Sequence, residues 1–339
     1  MHNTESMAVK KKSSKPVRTT VQSGGKPQKK PLIGFIGQGW IGKHYADDFE
    51  KRGYNVIRYA LEEPYRQNKE KVAEADIVFI AVPTPTTTKG FDDSIVRGAL
   101  AHVGKGKIAV VKSTLKPGTT HSLQKQYPNL FVMHAPEFLS RGTAAQDAAH
   151  PIQNIVGIPF DTEAYQSRAE QVILVLPESP ATIVPAHTAE FFKYVHNTSL
   201  FARGIYMNLL YDIAQELDID WADIKEMIVH DPMIAFQDPV VSKWHIEPAH
   251  ATGRGIGGDC HIKDFETFSR LFEETVGHAE GMKLISAMKD MNVTLLLESK
   301  KDLHFLRSVY GDQILKGKPR AQKKKTNRST KKTTKRVRK

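Results

Sequence analysis

Short apolar runs, broken by glycine and polar clusters, fill residues 31–185, while segments with apolar positions every three or four residues fill 188–312. Ile33-Gly34-Phe35-Ile36 reads as a short buried strand, with a helix following through about Lys51. Gly53 to Tyr59 reads as a second strand. Ala75 to Val82 is an unbroken apolar strand, as a parallel sheet covered on both faces requires. Lys107–Lys112 and Leu130–Met133 read the same way. Beyond them Ala189, Phe192, Val195, Leu200, Ile205, Leu209 and Ile213 predict one long helix from about Thr188 to Leu217, weakest at Gly204. One further helix is expected over Trp221–Val229, then irregular chain to 250, then helices over 264–312. The pattern predicts an α/β Rossmann-type domain over 32–184 and a helical domain over 185–315.

Charge changes this picture at the ends. The chain of 339 residues carries a net +12. Residues 1–32 hold eight Lys/Arg against one acid, and 316–339 hold thirteen against none, which leaves the stretch between them at −8. Residues 1–31 and 316–339 therefore read as disordered basic tails, poor in apolar residues. Runs such as Lys10-Lys11-Lys12 and Lys323-Lys324-Lys325 suit nucleic acid, another polyanion or an import receptor. No aromatic residue interleaves with them, so base stacking is not indicated. The sequence shows no secretory leader and no membrane-spanning run, and one cysteine suggests a reducing compartment. The expectation is cytoplasmic, or nuclear if the tails act as an address, with no membrane partner.

Chemistry gathers at the breaks between elements. Gly37-Gln38-Gly39-Trp40-Ile41-Gly42 is a G-x-G-x-x-G turn between a strand and a helix, the setting in which it binds the pyrophosphate of a dinucleotide. The acid expected at the end of the second strand falls near Ala60; Glu62 and Glu63 follow, and Arg58 leaves room for a 2′-phosphate. NAD is the expected cofactor. Val82-Pro83-Thr84-Pro85, Ser113-Thr114 and His134-Ala135-Pro136-Glu137 end three strands and outline one cleft. The sole cysteine, Cys260, lies in Gly255-Ile256-Gly257-Gly258-Asp259-Cys260-His261-Ile262-Lys263-Asp264. Near a helix N-terminus and Lys263, its thiol is expected to have a depressed pKa. A small buried cysteine beside a turn is the other reading. Lys193 and Asn197, four apart, share a helix face, as either site residues or a solvated surface pair. One cysteine cannot build a thiolate metal cluster, and no metal site is expected.

In ordered blocks over 32–315 the chain resembles the UDP-glucose/GDP-mannose dehydrogenase family. The glycine turn at 37–42 is similar to its cofactor fingerprint, and Ala81-Val82-Pro83-Thr84-Pro85 to its V-P-T-P strand end. Ser113-Thr114-Leu115-Lys116-Pro117-Gly118-Thr119 resembles its S-T-x-x-P-G-T turn, and Pro136-Glu137-Phe138-Leu139 its P-E-F-L motif. Ala189-Glu190-Phe191-Phe192-Lys193-Tyr194 with Asn197 resembles its A-E-x-x-K-Y-x-x-N helix, and Gly257 to Asp264 its nucleophile segment.

The resemblance implies oxidation of a nucleotide-sugar primary alcohol to the acid by two NAD in turn, through a thiohemiacetal and thioester on Cys260. It implies Lys193 and Asn197 as oxyanion stabilisers, Asp264 as water activator, and Glu137 and Thr114 assisting. Gly37, Gln38, Gly39, Trp40, Ile41, Gly42, Val82, Thr84, Thr114 and Lys263 would contact the cofactor. Glu137, Phe138, Leu139, Lys193, Asn197 and Gly257 would line the sugar site. A homodimer through the long helix is implied as well. Three departures stand out. Ser140-Arg141-Gly142 replaces a family glutamate used in thioester hydrolysis. The passage from Glu62 to Ala75 is short. The sequence turns basic at Leu315-Lys316-Gly317-Lys318, where the family's UDP-binding domain would begin. Oxidation of a smaller hydroxy compound, and an NAD-binding scaffold without turnover whose tails hold a polyanion, are the alternatives.

Overall fold

The computed structural model describes residues 30–140, 142–236, 245–250 and 253–316. The two basic tails, apart from Lys30, Pro31 and Lys316, and the Arg141 substitution lie outside the described residues.

Seven strands form one sheet: β1 (Ile33–Ile36), β2 (Val56–Tyr59), β3 (Ile77–Ile80), β6 (Ile108–Val111), β7 (Phe131–His134), β8 (Asn154–Ile158) and β9 (Ala181–Pro185). A small antiparallel hairpin of β4 (Thr86–Thr87) and β5 (Gly90–Phe91) stands apart. The sheet order is β2-β1-β3-β6-β7-β8-β9. Every pair is parallel except β7 with β8, which meet antiparallel at His134 and Gly157.

Both faces of the sheet are covered, which explains the unbroken apolar runs. Ile33, Phe35, Ile77, Phe79, Ile108 and Val110 point into one core layer, under helices α1 (Trp40–Lys51), α4 (Ala144–Ala149) and α5 (Glu163–Val175). Ile36, Val78, Ile80, Ala109 and Val111 point into the other, under α2 (Ser94–Leu100) and α3 (Thr119–Gln126). Alternate residues of each strand thus serve opposite layers. The Rossmann-type α/β domain is as predicted. Its last two strands, β8 and β9, were not legible as strands, and they extend the sheet toward the second domain.

The long helix α6 spans Ala186–Glu216 without interruption. It begins against β8, where a Cβ on Gly157 would lie 2.8 Å from Ala189 Cβ, so only glycine permits the approach. The helix α7 (Trp221–His230) and three more, Asp259–Thr275, Ala279–Glu298 and Leu303–Tyr310, complete a helical second domain. No helix among the described residues is long and apolar enough to cross a membrane.

Glu190 ties the domains together. Its carboxylate accepts Gly118 N at 2.5 Å and Thr120 N and Oγ1 at 2.6 Å each. These are donors at the start of α3 that would otherwise lack partners. Thr86 Oγ1 and Thr267 Oγ1, 2.7 Å apart, add a second tie across the cleft.

Candidate active site

The chain leaves β1 toward β2 on one side and crosses to β3 on the other, so a crevice opens at the carboxyl ends of β1 and β3. The glycine turn sits there. Gly37 has φ +93°, and a Cβ on it would fall 2.2 Å from Ala81 O. A Cβ on Gly42 would fall 1.9 Å from Gly37 O. The first and third glycines therefore pack turn, strand and helix together. Gly39 caps the start of α1 and has nothing within 4 Å of its Cβ position, so its backbone is open to a ligand. Gln38 Nε2 donates to Gly37 O at 3.1 Å, Ile41 packs on the core, and Trp40 is exposed with its ring 4.9 Å from that of His44. This cradle fits a dinucleotide pyrophosphate.

Ser113 Oγ accepts Val82 N at 3.0 Å and donates to Val82 O at 2.7 Å, which fixes the β3 end beside the β6 end. Thr84 and Thr114 are buried there. Arg58, the residue that left room for a 2′-phosphate, is bound at 2.7 Å to both Asp47 and Glu50. Its guanidinium could meet such a phosphate only by leaving both carboxylates.

The second cluster forms where α6 and the helix Asp259–Thr275 face the end of β7. Lys193 Nζ donates to the Glu137 carbonyl oxygen and lies 3.4 Å from Glu137 Oε1. Glu137 Oε2 accepts Leu139 N at 2.9 Å, so this carboxylate shapes the turn that carries Phe138 and Leu139. The Lys193 ammonium is 5.1 Å from the centre of the Phe138 ring. Asn197 Nδ2 donates to Asp264 Oδ2 at 2.6 Å, and Lys263 Nζ lies 2.7 Å from Asp264 Oδ1. Both oxygens of Asp264 are thus held. Lys263, expected at the cofactor, reaches this carboxylate. Burial, the largest influence, opposes the Lys263 charge, but Asp264, Cys260 and Asp259 together raise the lysine above its ordinary value. Lys193, Asn197, Lys263 and Asp264 are all buried, so Lys193 and Asn197 are not a solvated surface pair.

Cys260 lies in the first turn of its helix, which starts at Asp259, five residues before the helical stretch the sequence suggested. The residue as a whole reaches solvent, although protein crowds its sulfur, so it is not a fully enclosed filler. The expected depression of its pKa is not found. The protein around the sulfur pushes the thiol up, with Lys263 and Lys193 pulling down and Asp264 and Glu137 pushing up. Desolvation, with the two carboxylates, outweighs the two ammonium groups. The mutual influence of these five side chains places them in one site. Gly257, expected at the sugar, packs against Asp302: a Cβ there would fall 1.9 Å from Asp302 Oδ2.

Of the further neighbours, His134 was read at a strand end of the cleft without a role, and Lys112 and His196 carried no sequence signal of their own. Lys112 is buried below the site, 4.2 Å from the Tyr45 ring centre, and its pKa falls to about 8, chiefly by burial. His134, fully buried, contacts Val111 O through Nδ1 at 2.9 Å and leaves Nε2 without a partner. His196 lies one residue from Asn197 with its ring 4.8 Å from Phe138; burial lowers its pKa to about 4. Only their neighbourhood, Lys112 before Ser113 and His196 within the Lys193 motif, could have drawn attention to them. Among the described residues no group of three or more His, Cys, Asp or Glu could hold a metal ion.

Comparisons with known proteins agree with this geometry. Residues 60–173 match the UDP-glucose/GDP-mannose dehydrogenase family, NAD binding domain, and residues 187–294 match its central domain. The first match begins downstream of the glycine turn. The chain is similar to a putative UDP-glucose 6-dehydrogenase of Bacillus subtilis, 26% identical over 255 residues, covering 72% of this chain and 56% of the relative. It is also similar to the UDP-glucose 6-dehydrogenase of Rhizobium meliloti, 28% identical over 253 residues, covering 65% and 54%. The chain spans about half the length of these relatives. A UDP-glucose dehydrogenase structure from Pyrobaculum islandicum superposes with TM-score 0.66 at 24% identity, covering 82% of this chain and 73% of that one. The 3-hydroxyisobutyrate dehydrogenase of Mycobacterium tuberculosis superposes at 0.61 and 17% identity, covering 82% and 100%, and so shares the fold. With both of its domains matched in order, the chain belongs to the UDP-glucose/GDP-mannose dehydrogenase family.

Proposed function

We propose that the protein is an NAD-dependent dehydrogenase that oxidises the primary alcohol of a nucleotide sugar to the acid, of the UDP-glucose to UDP-glucuronate type, through a covalent intermediate on Cys260. The observation that carries this reading is the site itself. The chain's one thiol, exposed in the first turn of its helix, feels the charges of Lys193, Lys263, Glu137 and Asp264, and Glu137 follows a strand of the sheet whose β1 end carries the glycine cradle.

Bound NAD supplies the hydride acceptor, once for each of two oxidations. The glycine cradle and Thr84 hold and orient it, with Val82 and Thr114 walling the cleft. Cys260 Sγ adds to the aldehyde carbon: a C–S bond forms and negative charge develops on the carbonyl oxygen. Lys193 and Asn197 are the buried donors able to stabilise that charge, by turning from Glu137 and Asp264 toward it. Loss of the second hydride leaves a thioester. Water then breaks the C–S bond, giving the acid and restoring the thiol. Asp264 takes the proton of that water, and Glu137 and Thr114 orient it. One alcohol, one water and two oxidised NAD would thus yield one carboxylate, two reduced nicotinamides and three protons. Glu137, Phe138 and Leu139 wall the sugar, and the nucleotide-sugar reading rests on the similar dehydrogenases. A second copy of the chain packs along α6.

Purified protein with NAD and UDP-glucose should show the absorbance of reduced nicotinamide, two per sugar consumed. Cys260→Ala should lower acid formation by about a thousandfold. Because the thiol is raised, the acid-forming rate should climb with pH through the alkaline range, as the thiolate fraction grows. Absence of turnover on a panel of UDP- and GDP-sugars, with NAD binding intact, would overturn the proposal. Reduction by small hydroxy acids alone would replace it with the smaller-substrate reading.

A further inference from the structure

The glycine run that leads to Cys260 is held from one side by a single distant segment. Asn292 brackets Ile256, accepting its N at 2.7 Å and donating to its O at 2.9 Å. Ser299 Oγ accepts Arg254 N at 2.9 Å. Lys301 Nζ donates to Gly255 O at 2.9 Å and Gly253 O at 3.1 Å. Asp302 Oδ2 accepts Gly258 N at 2.8 Å. Gly258 is the cap of the cysteine helix, two residues from the thiol.

The holding segment is itself unusual. Lys300 and Asp302 both have φ +53°, a left-handed conformation that side chains other than glycine adopt at a cost of about 1–2 kcal/mol. Such residues persist where the surroundings over-determine them. Lys301, between them, is buried with its ammonium on the two glycine carbonyls. The turn joins the helix Ala279–Glu298 to the helix Leu303–Tyr310, and Asp302 is also the cap residue of the latter. One strained turn therefore fixes two helix starts at once, its own and that of the cysteine helix.

We propose that Asp302, supported by Lys301, is a positioning residue for the Cys260 thiol, acting through the Gly258 N–H to set where the cysteine helix begins. Its contact is with the backbone that leads to the thiol and not with the thiol itself. The proposal rests on the reading of Cys260 as nucleophile for its purpose, but its test does not depend on turnover. The only thiol in the chain can be titrated directly.

The rate of Cys260 alkylation by iodoacetamide, followed by mass against pH, is the measurement. In the folded protein the thiol titrates above its ordinary value because of the protein around it. Asp302→Ala removes the acceptor that holds the Gly258 N–H, so the first turn, and the thiol with it, can shift away from the groups that raise it. The midpoint of the profile should move down, and the rate at neutral pH should rise about fivefold, the factor one ordinary hydrogen bond allows. Asp302→Asn keeps an acceptor oxygen for Gly258 N–H and should stay within about twofold of the wild type. A wild-type rate and midpoint in folded Asp302→Ala would overturn the proposal. So would an Asp302→Asn profile displaced as far as that of Ala, since charge and not the bond would then be responsible. Should Asp302→Ala not fold, Asp302→Ser, which keeps a side-chain oxygen at the start of its own helix but withdraws it from Gly258 N, decides in the same way: a wild-type rate and midpoint there would equally overturn the proposal. A protein inactive on every sugar would still give a clear answer here.

Discussion

At the scale of single residues, two histidines beside the site are kept neutral where charge would be expensive. His134 and His196 are held to about 3 and about 4, by burial first and by the nearby lysines second, although an exposed histidine titrates near 6.5. Both therefore stay uncharged at neutral pH beside Lys193. The sign of the consequence follows from linkage. Below about pH 6.5 the unfolded chain binds protons on these imidazoles that the folded chain refuses, so the stabilisation present above pH 6.5 is lost as pH falls toward 3. Each histidine adds a slope of up to about 1.4 kcal/mol per pH unit in that window. His134→Asn, whose amide can keep the Val111 contact, should flatten the loss of unfolding free energy between pH 6.5 and 4. Denaturant titrations at several pH values measure it, and an unchanged slope would mean that His134 is protonated in the fold. The raised Cys260 thiol acts in the opposite range. It is a group whose ionisation the fold resists, so the stability it contributes is present below its ordinary value and lost as pH rises through the folded one.

At the scale of elements, the three glycines of the first turn have separable duties. Gly37 and Gly42 are forced by contacts of 2.2 and 1.9 Å, so alanine at either strains the fold. Gly39 has φ −69° and open space around its Cβ position, so alanine there is compatible with the folded backbone. Gly39→Ala should leave the melting temperature within about 2 °C of the wild type, yet weaken NAD binding about tenfold or more by placing a methyl group where the pyrophosphate approaches. Calorimetric titration with NAD checks it, and unchanged affinity would remove the cradle reading. This turn was legible in the sequence because its signal is local: a strand, three glycines and a helix within some twenty residues. The apolar strands β3 and β6 were legible for the same reason, being covered on both faces. What stayed hidden works across distance. Glu190 meets Thr120 seventy residues away, Lys193 meets Glu137 over fifty-six, and Asp302 meets Gly258 over forty-four. No periodicity encodes such pairs. The strand β8 was missed because Pro151 and Pro159 crowd a run of five, and its partner β9 ends in Pro185, both signals that argue against strand. The depressed thiol was wrongly expected because helix dipole and Lys263 can be read in sequence, whereas the mass of protein around the sulfur cannot.

At the scale of the whole molecule, one face of α6 remains without a partner in the single chain. At 100° per residue, Phe191, Val195, Tyr206, Leu209, Ile213 and Leu217 fall within an arc of roughly 80°. Each is more than 40% exposed. The buried positions Lys193, Tyr194, Asn197, Phe201, Ile205 and Asn208 fall on the opposite side, toward the cysteine helix and the sheet. The helix thus carries two different faces: one bears Lys193 and Asn197, the proposed oxyanion donors, the other an exposed apolar stripe long enough for a second helix. We propose that this stripe on a 31-residue helix is an association surface. A two-fold pairing would lay the same stripe against itself. Sedimentation at micromolar concentration should give a mass twice that of the 38.0 kDa chain. The double variant Leu209→Asp with Ile213→Asp should sediment as a monomer with helical content unchanged, because both side chains face solvent in the single chain. Since Lys193 and Asn197 lie on the same rigid helix, loss of the partner should also lower turnover, with NAD affinity retained because the glycine cradle is remote from the stripe. A wild-type chain that sediments as a monomer would instead assign the stripe to some other surface, and the proposed site would have to work without support from a second copy.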